Sequence, residues 1–254
     1  MTIPAALVLA GSRPGAPDPL ALAEGVAHKA LIPAAGQPML ARVISALRGA
    51  GIERIAVSAS EPAVCALATD LGCEIVDTGT GPSASVANGF ALLGAPMLVT
   101  TADHALLQPQ WITAFVEETP LTADVAVLLA RREAIEQALP GSRRTYLKFV
   151  DGQWSGCNLF LLASPHAQAA IETWTMVEAD RKRPWRIAAR LGPRMLVNYA
   201  LGRLTLAEAL ATLGRRIGLS ASLVAAGDGL AAVDVDKVQD LADVRSILSA
   251  RGEG

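Results

Sequence analysis

The chain has 254 residues, 52% of them hydrophobic, enough to bury one substantial core, and this predicts a single domain over residues 1–254. A net charge of −2 excludes the global positive field that gathers nucleic acid, so any anionic ligand must be held by local charges. The N-terminus shows no signal-peptide pattern, and no apolar run reaches the length of a membrane span, which predicts a soluble cytoplasmic protein. Cys65, Cys73 and Cys157 form no CxxC pair and no even set, so they read as buried thiols of a reducing compartment rather than as a disulfide scaffold or zinc site.

In chain order, the first apolar run, "AALVLAG", empties into "AGSRPG". Gly11 lets backbone approach a ligand, N–H groups near a strand end can form an anion nest, and Arg13 adds a permanent forked donor. An ordinary Gly/Pro surface loop is the competing reading. The dinucleotide fingerprint GxGxxG is absent, and Pro17 and Pro19 keep a helix from starting at once, so a phosphate here would lie on a loop.

Lys29 follows in "HKALIPAAGQPML". Lysine occurs only at 29, 148, 182 and 237 in a chain that otherwise writes arginine, and its point charge suits a phosphate oxygen; a solvated loop cation is the alternative. Met39, Leu40, Val43, Ile44 and Leu47 then recur at helical spacing, with Gly49 to Gly51 as the stop. Strands are predicted at "IERIAVSAS" and "CEIVDTG". The loop "GTGPSASVANGF" carries Gly79, Gly81, Ser83, Ser85, Asn88 and Gly89, small enough to let a flat base slide against backbone, with Ser85 as a helix N-cap.

The fourth strand ends "LVTTADHALL". Asp103 stands directly after buried strand, where a carboxylate must cap, pair or bind metal. His104 points the opposite way on an extended chain and is read as structural. Strands at "ADVAVLLA", "CNLFLLA" and "SASLVAAG" follow. Between them, Arg143, Arg144, Tyr146 and Lys148, then Gly156 and Asn158, are candidates for holding a second substrate, or else a solvated basic hairpin. In "DRKRPWRIAARLGPR", Arg186, Arg190 and Arg194 share one helical face and Trp185 and Leu191 another, so residues 181–194 suit an anionic substrate, weak contact with an anionic membrane surface, or simple packing on the core. In the tail "AAVDVDKVQDLADVRSIL", Asp234 and Asp236 alternate with valines and face one side of a strand end; Asp236 is also a candidate cap for the helix carrying Leu241, Val244 and Leu248.

Early strands alternating with helices predict an α/β fold with a mostly parallel sheet, whose ligands lie beyond the carboxyl ends of the strands. A second carboxylate beside Asp103 would complete an oxygen-ligand magnesium site of the kind that serves phosphate substrates.

Together, "LAG" with a nearby Arg, Lys before "L.P..G.PML", "SV.NG", Asp after a buried strand and "D.D…DL" resemble the nucleotidyltransferases of the glycosyltransferase-A-like fold, including molybdenum cofactor guanylyltransferase and methylerythritol phosphate cytidylyltransferase. The resemblance implies a three-layer Rossmann-like sandwich with a mixed central sheet. It implies that Ala10, Gly11, Ser12, Arg13 and Lys29 hold a triphosphate, that Gly81, Ser85 and Asn88 lie along the base, and that Asp103 with Asp234 or Asp236 holds magnesium (Mg2+). The implied reaction is NMP transfer from an NTP, CTP or GTP favoured, to a phosphorylated small-molecule or lipid-precursor acceptor chosen by residues 141–219, with Arg143, Lys148, Gly156 and Asn158 in contact. Arg13 follows Gly11 more closely than in that family, and the stretch before Lys29 is longer. Two other classes share this fold: a nucleotide-sugar-dependent glycosyltransferase, which normally shows Asp-x-Asp at the fourth strand end where this chain has "ADHA", and a nucleotide-binding regulatory protein without turnover, which intact Lys29 and Asp103 argue against.

Overall fold

A computed structural model describes residues 3–12, 18–180 and 192–252, without the side chains of residues 193 and 194. Ten strands are present among these residues: β1 (Ala5–Leu9), β2 (Pro33–Ala34), β3 (Gln37–Pro38), β4 (Arg54–Ser58), β5 (Glu74–Val76), β6 (Met97–Thr101), β7 (Val125–Arg131), β8 (Leu147–Phe149), β9 (Gly152–Leu162) and β10 (Ala221–Ala225). The helices are α1 (Pro19–Ala23), α2 (Met39–Gly49), α3 (Pro62–Asp70), α4 (Pro82–Leu93), α5 (Pro109–Glu118), α6 (Arg132–Ala138), α7 (Gln168–Ala179), α8 (Pro193–Ala200), α9 (Leu206–Arg216) and α10 (Val238–Ala250).

Seven strands form the main sheet in the order β10-β7-β9-β6-β1-β4-β5, with β8 paired to β9 as the eighth, and β2 and β3 make a separate small ladder. β1, β4, β5 and β6 run parallel, as do β7 and β10; β9 runs antiparallel between β6 and β7. Both faces of the sheet are covered. On one face Ala6, Val8, Val57 and Leu98 pack against Leu40, Val43 and Leu47 of α2 and Phe115 of α5. On the other, Leu7, Ala56, Met97 and Val99 pack against Val86 and Phe90 of α4 and Ile171 of α7. This is the predicted three-layer α/β architecture. The apolar runs of β1, β4 and β6 lack a polar alternation because these central strands are dry on both sides. Gly89 carries no side chain where α4 meets the sheet, since a Cβ there would run into Leu7.

A third apolar cluster joins the two ends of the chain. Leu20 of α1, Ile32 and Met39 pack with Val233, Val235, Leu241 and Val244, so the stretch after the first loop docks on the C-terminal helix. Asp18 caps α1 by accepting from the N–H groups of Leu20 and Ala21, and Glu24 pairs with Arg245, whose guanidinium also donates to the Pro33 carbonyl. This clamp places Lys29 beside the tail that holds Asp236.

The structure corrects three local readings. Ser85 does not cap a helix: Pro82 opens α4 three residues earlier, and the Ser85 hydroxyl instead accepts from the Gly79 N–H at 2.9 Å. Asp236 does not cap α10: Asp240, inside its first turn, accepts from the backbone N–H groups of Lys237 and Asp236. The Asp234–Asp236 segment forms no strand, because a 3-10 turn (Gly229–Ala232) precedes it and it runs over the sheet edge. Of the thiols, Cys73 and Cys157 are buried, whereas Cys65 is only half-buried on α3. No helix among the described residues is long and apolar enough to cross a membrane.

Candidate active site

The parallel strands end at a common edge, and the backbone ties their first loop residues together. Ala10 donates to Ser58, Ala102 to Leu9, and Val235 in the tail donates to the carbonyl of Asp103 at 3.1 Å. That last bond brings the C-terminal carboxylates to the end of β6.

Lys29 is the centre of the arrangement. It opens a short 3-10 turn (Lys29–Leu31) held by buried His28, whose Nδ1 accepts from the Ala30 N–H at 3.0 Å. From there the ammonium donates to Asp103 Oδ2 at 2.6 Å and to Asp236 Oδ1 at 2.9 Å. Burial alone would push the Lys29 ammonium toward neutrality, but the Asp103 and Asp236 carboxylates more than offset it and raise its pKa above the ordinary lysine value, so the side chain stays charged at working pH. The Thr101 hydroxyl donates to the other Asp103 oxygen at 2.5 Å. Asp103 is therefore fixed on both oxygens.

Asp234 belongs to a different group. Arg144 Nη1 donates to Asp234 Oδ1 at 2.6 Å and Nη2 to the Asp234 carbonyl, while Asn158 Nδ2 donates to Oδ2 at 2.8 Å. Burial would raise the Asp234 pKa, yet the Arg144 contacts dominate and hold it below the usual carboxylate value. Asn158 reaches this position through an irregularity in β9. The register against β7 shifts between Val127 and Leu129, and Asn158 adopts φ +48°, a conformation that re-aims its side chain. Both Asp234 and Asp236 line a polar cavity of about 330 Å³ that also exposes Arg143, Arg144, Ser155 and Gly156.

The structure thus gathers Lys29, Asp103 and Asp236 at one point and Arg143, Gly156, Asn158 and Asp234 around the adjoining cavity. Ala10 is buried and Gly11 and Ser12 are exposed after β1; Gly11 lies opposite the loop after β5, where a Cβ on it would meet Thr78 at 3.5 Å. Asn88 donates to the carbonyl of Asp77 and, with Ser85, shapes that second loop. Lys148 stands exposed on β8, outside the cavity lining. Arg13, Trp185, Arg186, Arg190 and Leu191 lie outside the described residues, as does the side chain of Arg194. Sequence reasoning passed over Thr101, although residues two apart on a strand share a face with Asp103, and His28, for which the sequence carries no signal.

His104, read as structural, is fully buried, stacked on Trp111. Burial pushes its pKa down to about 4, only partly offset by the Asp103 charge. A folded pKa below the unfolded value means that the unfolded chain takes up the proton first, so this group erodes stability as pH falls from 6.5 toward 4 and has no effect above that window. The loss attributable to it is roughly 3 kcal/mol. Urea unfolding at pH 7 and pH 4.5 should show a flatter pH dependence in His104→Leu than in the wild type; equal slopes would show the imidazole to be solvated.

A family model for the MobA-like NTP transferase domain matches residues 6–190. Among solved structures the chain is similar to a hypothetical transferase from Thermus thermophilus, 30% identical, over 94% of this chain and 100% of that one, with a TM-score of 0.80. It shares its fold with a nucleotidyl transferase from Methanothermobacter thermautotroptrophicus, 16% identical over 97% and 98% of the two chains with a TM-score of 0.58. It also shares its fold with 2-C-methyl-D-erythritol 4-phosphate cytidylyltransferase from Thermus thermophilus, 14% identical over 98% and 100%, TM-score 0.56. No curated protein matches the sequence.

Proposed function

Because the chain belongs to the MobA-like NTP transferase family and is a nucleotidyltransferase, we propose that it transfers NMP from an NTP, with CTP or GTP favoured, to a phosphorylated small-molecule or lipid-precursor acceptor. The observation that carries this reading is the convergence of Lys29, Asp103 and Asp236 at the sheet edge beside a polar cavity.

In the proposed reaction an acceptor oxygen forms a bond to the α-phosphorus of the NTP, the bond from that phosphorus to the bridging oxygen breaks, and pyrophosphate leaves. Such chemistry needs positioning and charge neutralisation rather than a covalent nucleophile. Lys29, permanently charged, meets phosphate oxygens. Gly11 and Ser12, exposed after β1, receive the phosphates, and Arg13, outside the described residues, is assigned the second phosphate-binding charge by its place in the sequence alone. Gly81 at the cap of α4, and Ser85 and Asn88 in its first two turns, face the base. Arg143, Gly156 and Asn158 receive the acceptor, and Arg144 keeps Asp234 pointed away from Lys29.

Two carboxylates that already converge on one positive charge make a hard oxygen donor set suited to magnesium, which typically takes one or two carboxylates and completes its shell with water and substrate phosphate. Among the described residues no set of three or more His, Cys, Asp or Glu side chains gathers for a metal. Asp103 and Asp236 would therefore hold the ion, rather than Asp234, which is committed to Arg144 and Asn158. Bound there, magnesium would neutralise charge developing on the phosphates.

The test is thermal-shift titration with ATP, GTP, CTP and UTP plus magnesium, followed by pyrophosphate release with phosphorylated acceptors. Stabilisation by CTP or GTP, and acceptor-dependent pyrophosphate, is expected; indifference to all four nucleotides would overturn the reading.

A further inference from the structure

Helix α4 begins at Pro82 with Gly81 as its cap residue, and no side chain of its own first turn closes that end. The closure comes from 95 residues away. Glu178, in the last turn of α7, accepts from the Ser83 N–H at 3.2 Å and from the Ser83 hydroxyl at 2.6 Å through Oε2. Ser83 is buried, and the same carboxylate lies over Gly81, where any Cβ would run into it. A side chain at Gly81 would therefore displace the Glu178 carboxylate from Ser83.

A helix N-terminus ordinarily attracts anions. Here the protein's own carboxylate already takes the N–H and the hydroxyl of Ser83. The positive charge of Lys29 stands elsewhere, by Asp103 and Asp236.

We infer that Glu178 is a positioning residue for the nucleotide: it locks the turn from Gly79 to Ser83 in the shape on which the base docks, while the phosphates lie at Lys29. The inference rests on the reading that this loop faces the base and adds a residue on α7, outside the nucleotide loops, that governs its shape.

The experiment uses the full chain as wild type, Glu178→Ala, Glu178→Gln and Gly81→Ala, with steady-state kinetics on the NTP turned over fastest and thermal-shift titration with inorganic pyrophosphate. Glu178→Ala should raise KM for the NTP roughly tenfold, the size expected for losing one capping interaction, with kcat within about twofold and pyrophosphate affinity unchanged. Glu178→Gln should restore KM to within about threefold, because its amide oxygen still accepts from Ser83. Gly81→Ala should raise KM as Glu178→Ala does, and the double variant should be no worse than Glu178→Ala, since the methyl takes the space that the carboxylate leaves. Should Glu178→Ala fail to fold, Gly81→Ala carries the same comparison. An unchanged KM, a parallel loss of NTP and pyrophosphate affinity, or no rescue by Gln overturns the inference. Wild type stabilised by no NTP would instead remove the functional reading beneath it, a result distinct from normal NTP binding that is indifferent to Glu178.

Discussion

Asp103→Asn should lower kcat/KM for pyrophosphate release by about three orders of magnitude, the scale of losing one fixed electrostatic group at a reacting centre. The substitution is nearly isosteric. Its amide oxygen can still accept from Thr101, so the end of β6 should keep its shape. What disappears is one of the two negative charges that hold Lys29 in place and would hold magnesium. Titration calorimetry with magnesium and NTP should show weakened binding alongside the kinetic loss, and the melting temperature should stay near that of the wild type. A variant that binds magnesium and NTP as tightly as the wild type would end the assignment of Asp103 as a metal ligand.

Arg144→Ala should destabilise the fold by about 3 kcal/mol, because breaking a largely buried pair leaves the partner charge without compensation. The Arg144 side chain is 10% exposed and that of Asp234 24%, so little water reaches the pair. Arg144→Lys should recover only part of the loss, since one ammonium cannot reproduce contacts to both the carboxylate and the carbonyl of Asp234. The pH dependence has a definite sign. Asp234 has a lowered folded pKa, so its contribution is present at neutral pH and is lost as pH falls through that folded value; the gap between wild type and variant should therefore narrow in acid. Urea unfolding at pH 7 and then at successively lower pH below the ordinary carboxylate range measures both effects. A deficit well under 1 kcal/mol at pH 7 would show that water, not Arg144, satisfies Asp234.

The strands were legible because burial on both faces leaves an unbroken apolar run, and Lys29 and Asp103 because each follows or precedes an element at the ligand edge. Less visible was how the chain returns. β9 enters from the carboxyl edge of its neighbours, so Gly156 and Asn158 lie in the middle of a strand and not just after one. The same reversal carries Arg143 and Arg144 to the cavity while Lys148, a few residues on, faces solvent on β8. Which cation each of Asp234 and Asp236 meets was beyond pattern reading, since Arg144 and Lys29 both come from far away in the chain. Ser85 and Asp236 looked like caps by residue type, but Pro82 and Asp240 already set those helix starts. Glu178 gave no local signal, since its partner is a turn nearly a hundred residues earlier.

Lys29 lends one positive charge to two carboxylates, and this shapes the life of the protein before any turnover. A centre built from acids alone would carry self-repulsion into the folding reaction. With a resident counter-ion supplied by its own chain, the pair of acids can come together as the tail docks, and the lysine that steadies them is the same side chain that a nucleotide would recruit. On the proposed reading, assembly and nucleotide binding would compete for a single ammonium.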